Sequence, residues 1–138
     1  MIWEKRKPNR ESHLANATDL YVAVLWRSMV DFSMNAEDII EVYDRKDGSL
    51  VLTLRGKYFP AIDGCLQISH DRLAFRGSLG TVPGYPDLNV FDLKSGKEIL
   101  SLKNDLKFED TYQSNFILQK TRLLLFSQGQ IYSAEFWI

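Results

Sequence analysis

Apolar and polar positions in this chain alternate with the two-residue period of extended strands, in short runs broken by turn-forming residues. No segment sustains the 3.6-residue period of a long amphipathic helix. In the run LYVAVLW, Leu20, Val22, Val24 and Trp26 fall on one face of a strand, and Tyr21, Ala23 and Leu25 on the other. Both faces are apolar, which predicts a strand covered on both sides, as in a stack of sheets, rather than one in a half-solvated sheet. The pattern predicts an all-β fold of antiparallel, blade-like sheets.

Two segments repeat. EVYDRKDGSLVLTL at 41–54 aligns with NVFDLKSGKEILSL at 89–102 at a constant offset of 48 positions. Val42, Asp44, Lys46, Gly48, Leu52 and Leu54 meet identical residues at Val90, Asp92, Lys94, Gly96, Leu100 and Leu102. Each copy reads as a β-hairpin. The carboxylates of Asp44 and Asp92 accept hydrogen bonds from turn N–H groups, and Gly48 and Gly96 supply the positive φ that closes the loop. A strand, tight turn and strand precede each hairpin: HLANA and LYVAVLW around Thr18-Asp19, then CLQIS and RLAFRG around His70-Asp71. NFILQ and RLLLFSQ repeat the arrangement around Lys120-Thr121, followed by IYSAEFWI with Glu135 in the place of Asp44 and Asp92. The unit is four strands in roughly 45–50 residues, a propeller-blade length. Four-stranded blades are expected at about 13–54 and 65–102, with a third over 115–138 that reaches only its third strand. The sum is a partial β-propeller: a piece of a longer one, a set completed by association of chains, or three sheets packed without closure.

The two hairpins resemble the end of a WD40 repeat, in which an aromatic-Asp pair closes the third strand and a Gly turn leads to the fourth. Here the pair is Tyr43-Asp44 and Phe91-Asp92, and the family's Gly-His pair is absent. The resemblance covers most of the chain in strand order and is specific only at the hairpins. It implies a propeller scaffold that binds proteins, often within an assembly such as a ubiquitin-ligase substrate receptor. The same hairpins also resemble quinoprotein-type propeller repeats, although Leu54 and Leu102 stand where those usually carry Trp.

Composition changes this picture little. The 138 residues carry a formal net charge of -1, with 45% hydrophobic and 25% charged residues, an ordinary globular balance. So weak a field gives no basis for bulk attraction to nucleic acid or to a membrane, and neither is expected as a partner. Arg72, Arg76 and Arg122 lie near strand starts without forming an aromatic-interleaved stripe. The single cysteine, Cys65, excludes an intrachain disulfide and is expected as a buried, inert thiol. The basic start lacks the apolar stretch of a secretory signal, so a cytoplasmic or nuclear setting is expected. Residues 1–12 read as a basic flexible arm, or as a strand in which Met1-Ile-Trp3 closes the incomplete third blade.

Little in the chain carries chemistry. His13 and His70 are the two histidines, His70 reading as a turn residue, and no metal-ligand spacing or phosphate loop is present in the sequence. No catalytic residue, metal site or cofactor is expected. Binding candidates fall on two loops. The 77–87 loop carries three glycines and two prolines and presents Leu79, Val82 and Tyr85. The 103–114 loop mixes charge with Phe108 and Tyr112. The expected function is a non-catalytic protein–protein interaction module, a scaffold or substrate receptor, meeting a protein partner or further copies of itself through an open blade edge near 131–138 or an end face, since an unclosed stack leaves an apolar blade face exposed. The alternative is a segment of a propeller enzyme whose site forms only in the complete ring.

Overall fold

A computed structural model describes residues 2–31, 36–57, 59–60, 63–79, 87–102, 116–127 and 129–136. These residues form strands and turns with no helix, arranged as three antiparallel sheets. The first sheet runs β1 (Arg10–Ala17), β2 (Tyr21–Ser28), β3 (Asp38–Asp44) and β4 (Leu50–Gly56), neighbours in space as in sequence. The second repeats it with β5 (Leu66–Ser69), β6 (Arg72–Arg76), β7 (Leu88–Asp92) and β8 (Glu98–Leu102). The third holds β9 (Phe116–Leu118), β10 (Arg122–Ser127) and β11 (Gln130–Glu135). The all-β fold of blade-like sheets thus stands. β1 begins inside the segment read as an arm, because Arg10, Glu11 and Ser12 pair with Ser28, Arg27 and Trp26.

The sequence repeat is a repeat of hydrogen bonds. In the first sheet Asp44 N donates to Ser49 O and Gly48 N to Asp44 O, each at 2.8 Å. In the second, Asp92 N donates to Lys97 O at 2.9 Å and Gly96 N to Asp92 O at 2.8 Å. Gly48 and Gly96 sit at φ of 76° and 72°, the left-handed region that a two-strand turn of this length requires. The Asp44 carboxylate accepts from Lys46 N at 2.8 Å, and the Asp92 carboxylate from Ser95 N at 3.1 Å. Both hairpins shift register just before the aromatic residue, between Val42 and Tyr43 and between Val90 and Phe91. A second signature extends the repeat to the third sheet. Arg45 N donates to Leu20 O, Leu93 N to Asp71 O and Phe136 N to Thr121 O. Each is the residue after the acidic position bonding to the residue before the second strand, so Glu135 occupies the place of Asp44 and Asp92.

The sheets stack face on face, and each strand's alternation decides which neighbour it meets. Ala23, Leu25, Ile40 and Val42 of the first sheet pack on Leu73, Phe75, Phe91 and Leu93 of the second. The second sheet's other face, with Ala74, Leu88 and Val90, packs on Phe116, Leu118, Leu123, Leu125 and Phe136 of the third. Phe59, from the connection between sheets, seals the first interface with a tilted contact to Phe75 at 5.8 Å. β1 lies beside β5 and β5 beside β9, so the first strands of the three sheets line one side of the stack.

Candidate interaction surface

Two side-chain amides clasp the sheets along that inner line. Gln67 on β5 donates from Nε2 to Phe116 O at 2.8 Å and accepts from Leu118 N at Oε1, at 2.9 Å. It stands in for the peptide unit of an adjoining strand, answering the backbone groups that β9 turns away from β10. Asn16 on β1 holds the same repeat position and donates to Leu66 O of β5 at a longer 3.4 Å. In the third sheet that position is Ile117, opposite Leu124 as Asn16 is opposite Ala23 and Gln67 opposite Ala74.

Among the described residues no sheet covers the third sheet's outer face, and that face is apolar. Register places Ile117, Leu124, Phe126 and Ile131 together on the side away from the second sheet. Ile131 is equivalent to Ile40 and Leu88, since the three pair with Phe126, Leu25 and Arg76. Ile40 and Leu88 are each 1% exposed under the following sheet, whereas Ile131 is 69% exposed and Ile117 47%. Among the described residues nothing pairs with the far side of β11. The edge strand leaves half its N–H and C=O groups for another strand or for water.

Several ionisable groups among the described residues hold the sheets together. Arg72 Nη1 lies 2.7 Å from Asp71 Oδ1 and 2.9 Å from Asp92 Oδ1, with its guanidinium 5.8 Å from the centroid of the Phe136 ring. Burial alone would raise the Asp92 carboxyl, but hydrogen bonds from Ser95 and the Arg72 charge outweigh it and hold the group below its ordinary value. Asp38 moves the other way, raised by burial against the pull of Arg27. The Cys65 thiol is buried beside β5 and pushed up by that burial, the reverse of an activated nucleophile. Arg76 packs its guanidinium 5.8 Å from the centroid of the Phe116 ring, and burial lowers it. His70 turns at φ 54° with Nδ1 3.1 Å from Ser69 Oγ, a tight-turn geometry. Among the described residues no group of three His, Cys, Asp or Glu side chains gathers to hold a metal.

No family model matches this chain, and no curated protein matches it. The likeness of its hairpins to WD40 repeats therefore rests on the residues themselves.

Of the loop candidates, Leu79 is half-buried against the core between the first and second sheets. Val82, Tyr85, Phe108 and Tyr112 lie outside the described residues. Asp44, Gly48, Asp92 and Gly96 occupy the turns assigned to them. Trp3 lies on the first sheet, at the opposite end of the stack from the third. An exposed apolar end face follows from the unclosed blade count, but both faces of RLLLF are apolar, so the strand alone does not say which residues line it. Only the repeat equivalence of Ile131 with Ile40 and Leu88 separates covered from uncovered.

Proposed function

We propose that the chain is a non-catalytic, WD40-like interaction module that docks a partner's β-sheet on the open face of its third sheet. One observation carries the reading: Ile131, at a position buried in both preceding sheets, is left 69% exposed. A face that twice receives a sheet within the chain is built, by residue type and register, to receive one again. This is the role of a scaffold or substrate receptor, of the kind found in cytosolic or nuclear ubiquitin-ligase assemblies. The partner is a protein, and no nucleic acid, membrane or cofactor enters the reading.

The size of the face sets the strength. Three strands of up to six residues span roughly 20 Å by 14 Å, well under the ~800 Å² per partner of a standard stable interface. Docking here is weak unless strand pairing along β11 adds to it, as when an extended edge accepts another strand. With no partner present, two copies cover each other's open faces and the isologous contact closes at a dimer. Sedimentation equilibrium at roughly 0.1–1 mM, where contacts of about 4–6 kcal/mol are populated, tests this. The expected result is a monomer–dimer equilibrium in the wild type and a monomer in Ile117→Glu/Ile131→Glu. A wild type that stays monomeric throughout would refute the docking role.

A further inference from the structure

The other end of the stack is covered by the chain itself. Residues 3–7 cross the outer face of the first sheet, outside any strand, with alternate side chains turned inward. The Trp3 ring lies 5.9 Å from that of Tyr43, and its Nε1 donates to Arg45 O at 2.9 Å. Lys5 Nζ sits 5.3 Å from the Tyr43 ring centroid, and Lys7 Nζ lies 2.6 Å from Glu41 Oε1. Glu4 and Arg6 point outward and pair with each other. Beneath this strap a polar chain runs through the face: Trp26 Nε1 donates to Tyr43 Oη at 2.9 Å, and Tyr43 Oη donates to Glu41 Oε1 at 3.1 Å.

The register says what such a face receives elsewhere in the chain. Val22, Val24, Glu41 and Tyr43 are equivalent to Leu73, Phe75, Asn89 and Phe91, which lie on the second sheet's side toward the first. They are likewise equivalent to Leu123, Leu125, Tyr132 and Ala134, on the third sheet's side toward the second. The strap therefore occupies the place of a preceding sheet. Its hold is local, one packed ring with its Nε1 hydrogen bond, one cation–π contact and one ion pair, while the surface beneath it is an apolar sheet face with Val24, Trp26, Ile39 and Tyr43 buried.

We propose that residues 3–7 are an intramolecular plug, and that the face they cover is a second docking surface whose occupant is the open third-sheet face of another copy. The occupant follows from continuity: first sheet on second and second on third are one interface repeated, and third on first of a neighbouring copy continues it. This rests on the docking role proposed for the open face. With the plug seated, a copy has one free face and association stops at the dimer. With the plug displaced, the contact becomes head-to-tail, and copies add until the rotation between them closes a ring, or without limit where it does not.

The test uses the full chain carrying Trp3→Ala/Lys7→Glu, which removes the ring and sets a second carboxylate against Glu41. Retained near-UV circular dichroism and cooperative melting establish the fold. Lys7→Glu alone, which keeps the ring, is the second variant and acts in the same direction. The expected result is association tighter than the wild type's, closing as a ring or growing with concentration, and a return to the monomer when Ile131→Glu is added, while that triple variant still binds wild type through its uncovered first sheet. A variant that dimerises no more tightly than the wild type, and whose Ile131→Glu form does not bind wild type, overturns the plug and leaves the open face standing. Growth that Ile131→Glu does not reverse overturns both.

Discussion

Removing the Gln67 clasp should cost far more than removing the Asn16 clasp, although the two hold the same repeat position. Gln67→Ala deletes the bonds to Phe116 O and Leu118 N, at 2.8 and 2.9 Å, on residues only 2% and 7% exposed. A buried donor or acceptor stripped of its partner costs about 1–3 kcal/mol, so the pair should cost roughly 2–4 kcal/mol. The third bond, from Nε2 to Gly64 O at 2.8 Å, ties the amide to the turn before β5 and adds little between sheets. Asn16→Ala breaks one inter-sheet bond of 3.4 Å at an exposed position, worth under about 1 kcal/mol. At about 3–5 °C per kcal/mol for a chain of this size, the expected drops in Tm are roughly 6–20 °C and under 5 °C. Thermal unfolding followed by circular dichroism measures both. Equal drops, or a Gln67→Ala chain that melts with the wild type, would show that the second and third sheets are held by apolar packing alone.

The two hairpin glycines offer a matched pair. Both pay the left-handed penalty of about 1–2 kcal/mol when changed to Ala. At Gly48, however, the new Cβ would stand 2.7 Å from Trp3, while at Gly96 the nearest atom is 3.9 Å away. Gly48→Ala should therefore melt lower than Gly96→Ala, and the difference should vanish in a Trp3→Ala background. Asp92 sets an acid limit. Its folded carboxyl lies below the ordinary 3.8, so its contribution is full above that value and is lost as pH falls through the lower folded one. Asp38, raised by burial, works in the opposite sense and fades as pH rises through its folded value. Urea midpoints in the wild type should fall below about pH 4, with a shallower fall in Asp92→Asn; parallel curves would rule out Asp92 as a source of the slope. Cys65, 2% exposed with its thiol pushed up, should react with a thiol reagent only as fast as the chain opens. Immediate labelling of the native protein would contradict its place in the core.

Much of the fold was legible because local and repeated signals agreed. The Asp–Gly spacing of the hairpins fixed two turns, and the doubly apolar LYVAVLW foretold a covered sheet. The acidic residue at 135 extended the frame to a third unit, which the Phe136–Thr121 bond bears out. What was illegible depends on tertiary neighbours. Gln67 reads as a polar residue on a strand, and nothing local says that its amide meets the backbone of β9. Trp3 and Lys7 read as a frayed basic start, because the Tyr43 and Glu41 they cover are some forty positions away. Rigid prolines and aromatic tips mark the loops as binding candidates in the sequence, and Val82, Tyr85, Phe108 and Tyr112 lie outside the described residues. An exposed end face follows from the unclosed blade count, but its lining is legible only once register places Ile131 in the frame of Ile40 and Leu88.

Amide hydrogen exchange compared at low and high protein concentration tests the central claim residue by residue. The account predicts that protection gained on concentration is confined to the third sheet, over 116–135 and strongest along β11. The amides of β2 and β3 beneath the strap should stay unchanged. Protection that appears elsewhere, or an exchange pattern for β10 and β11 indifferent to concentration, would contradict the open face as the surface through which this protein binds.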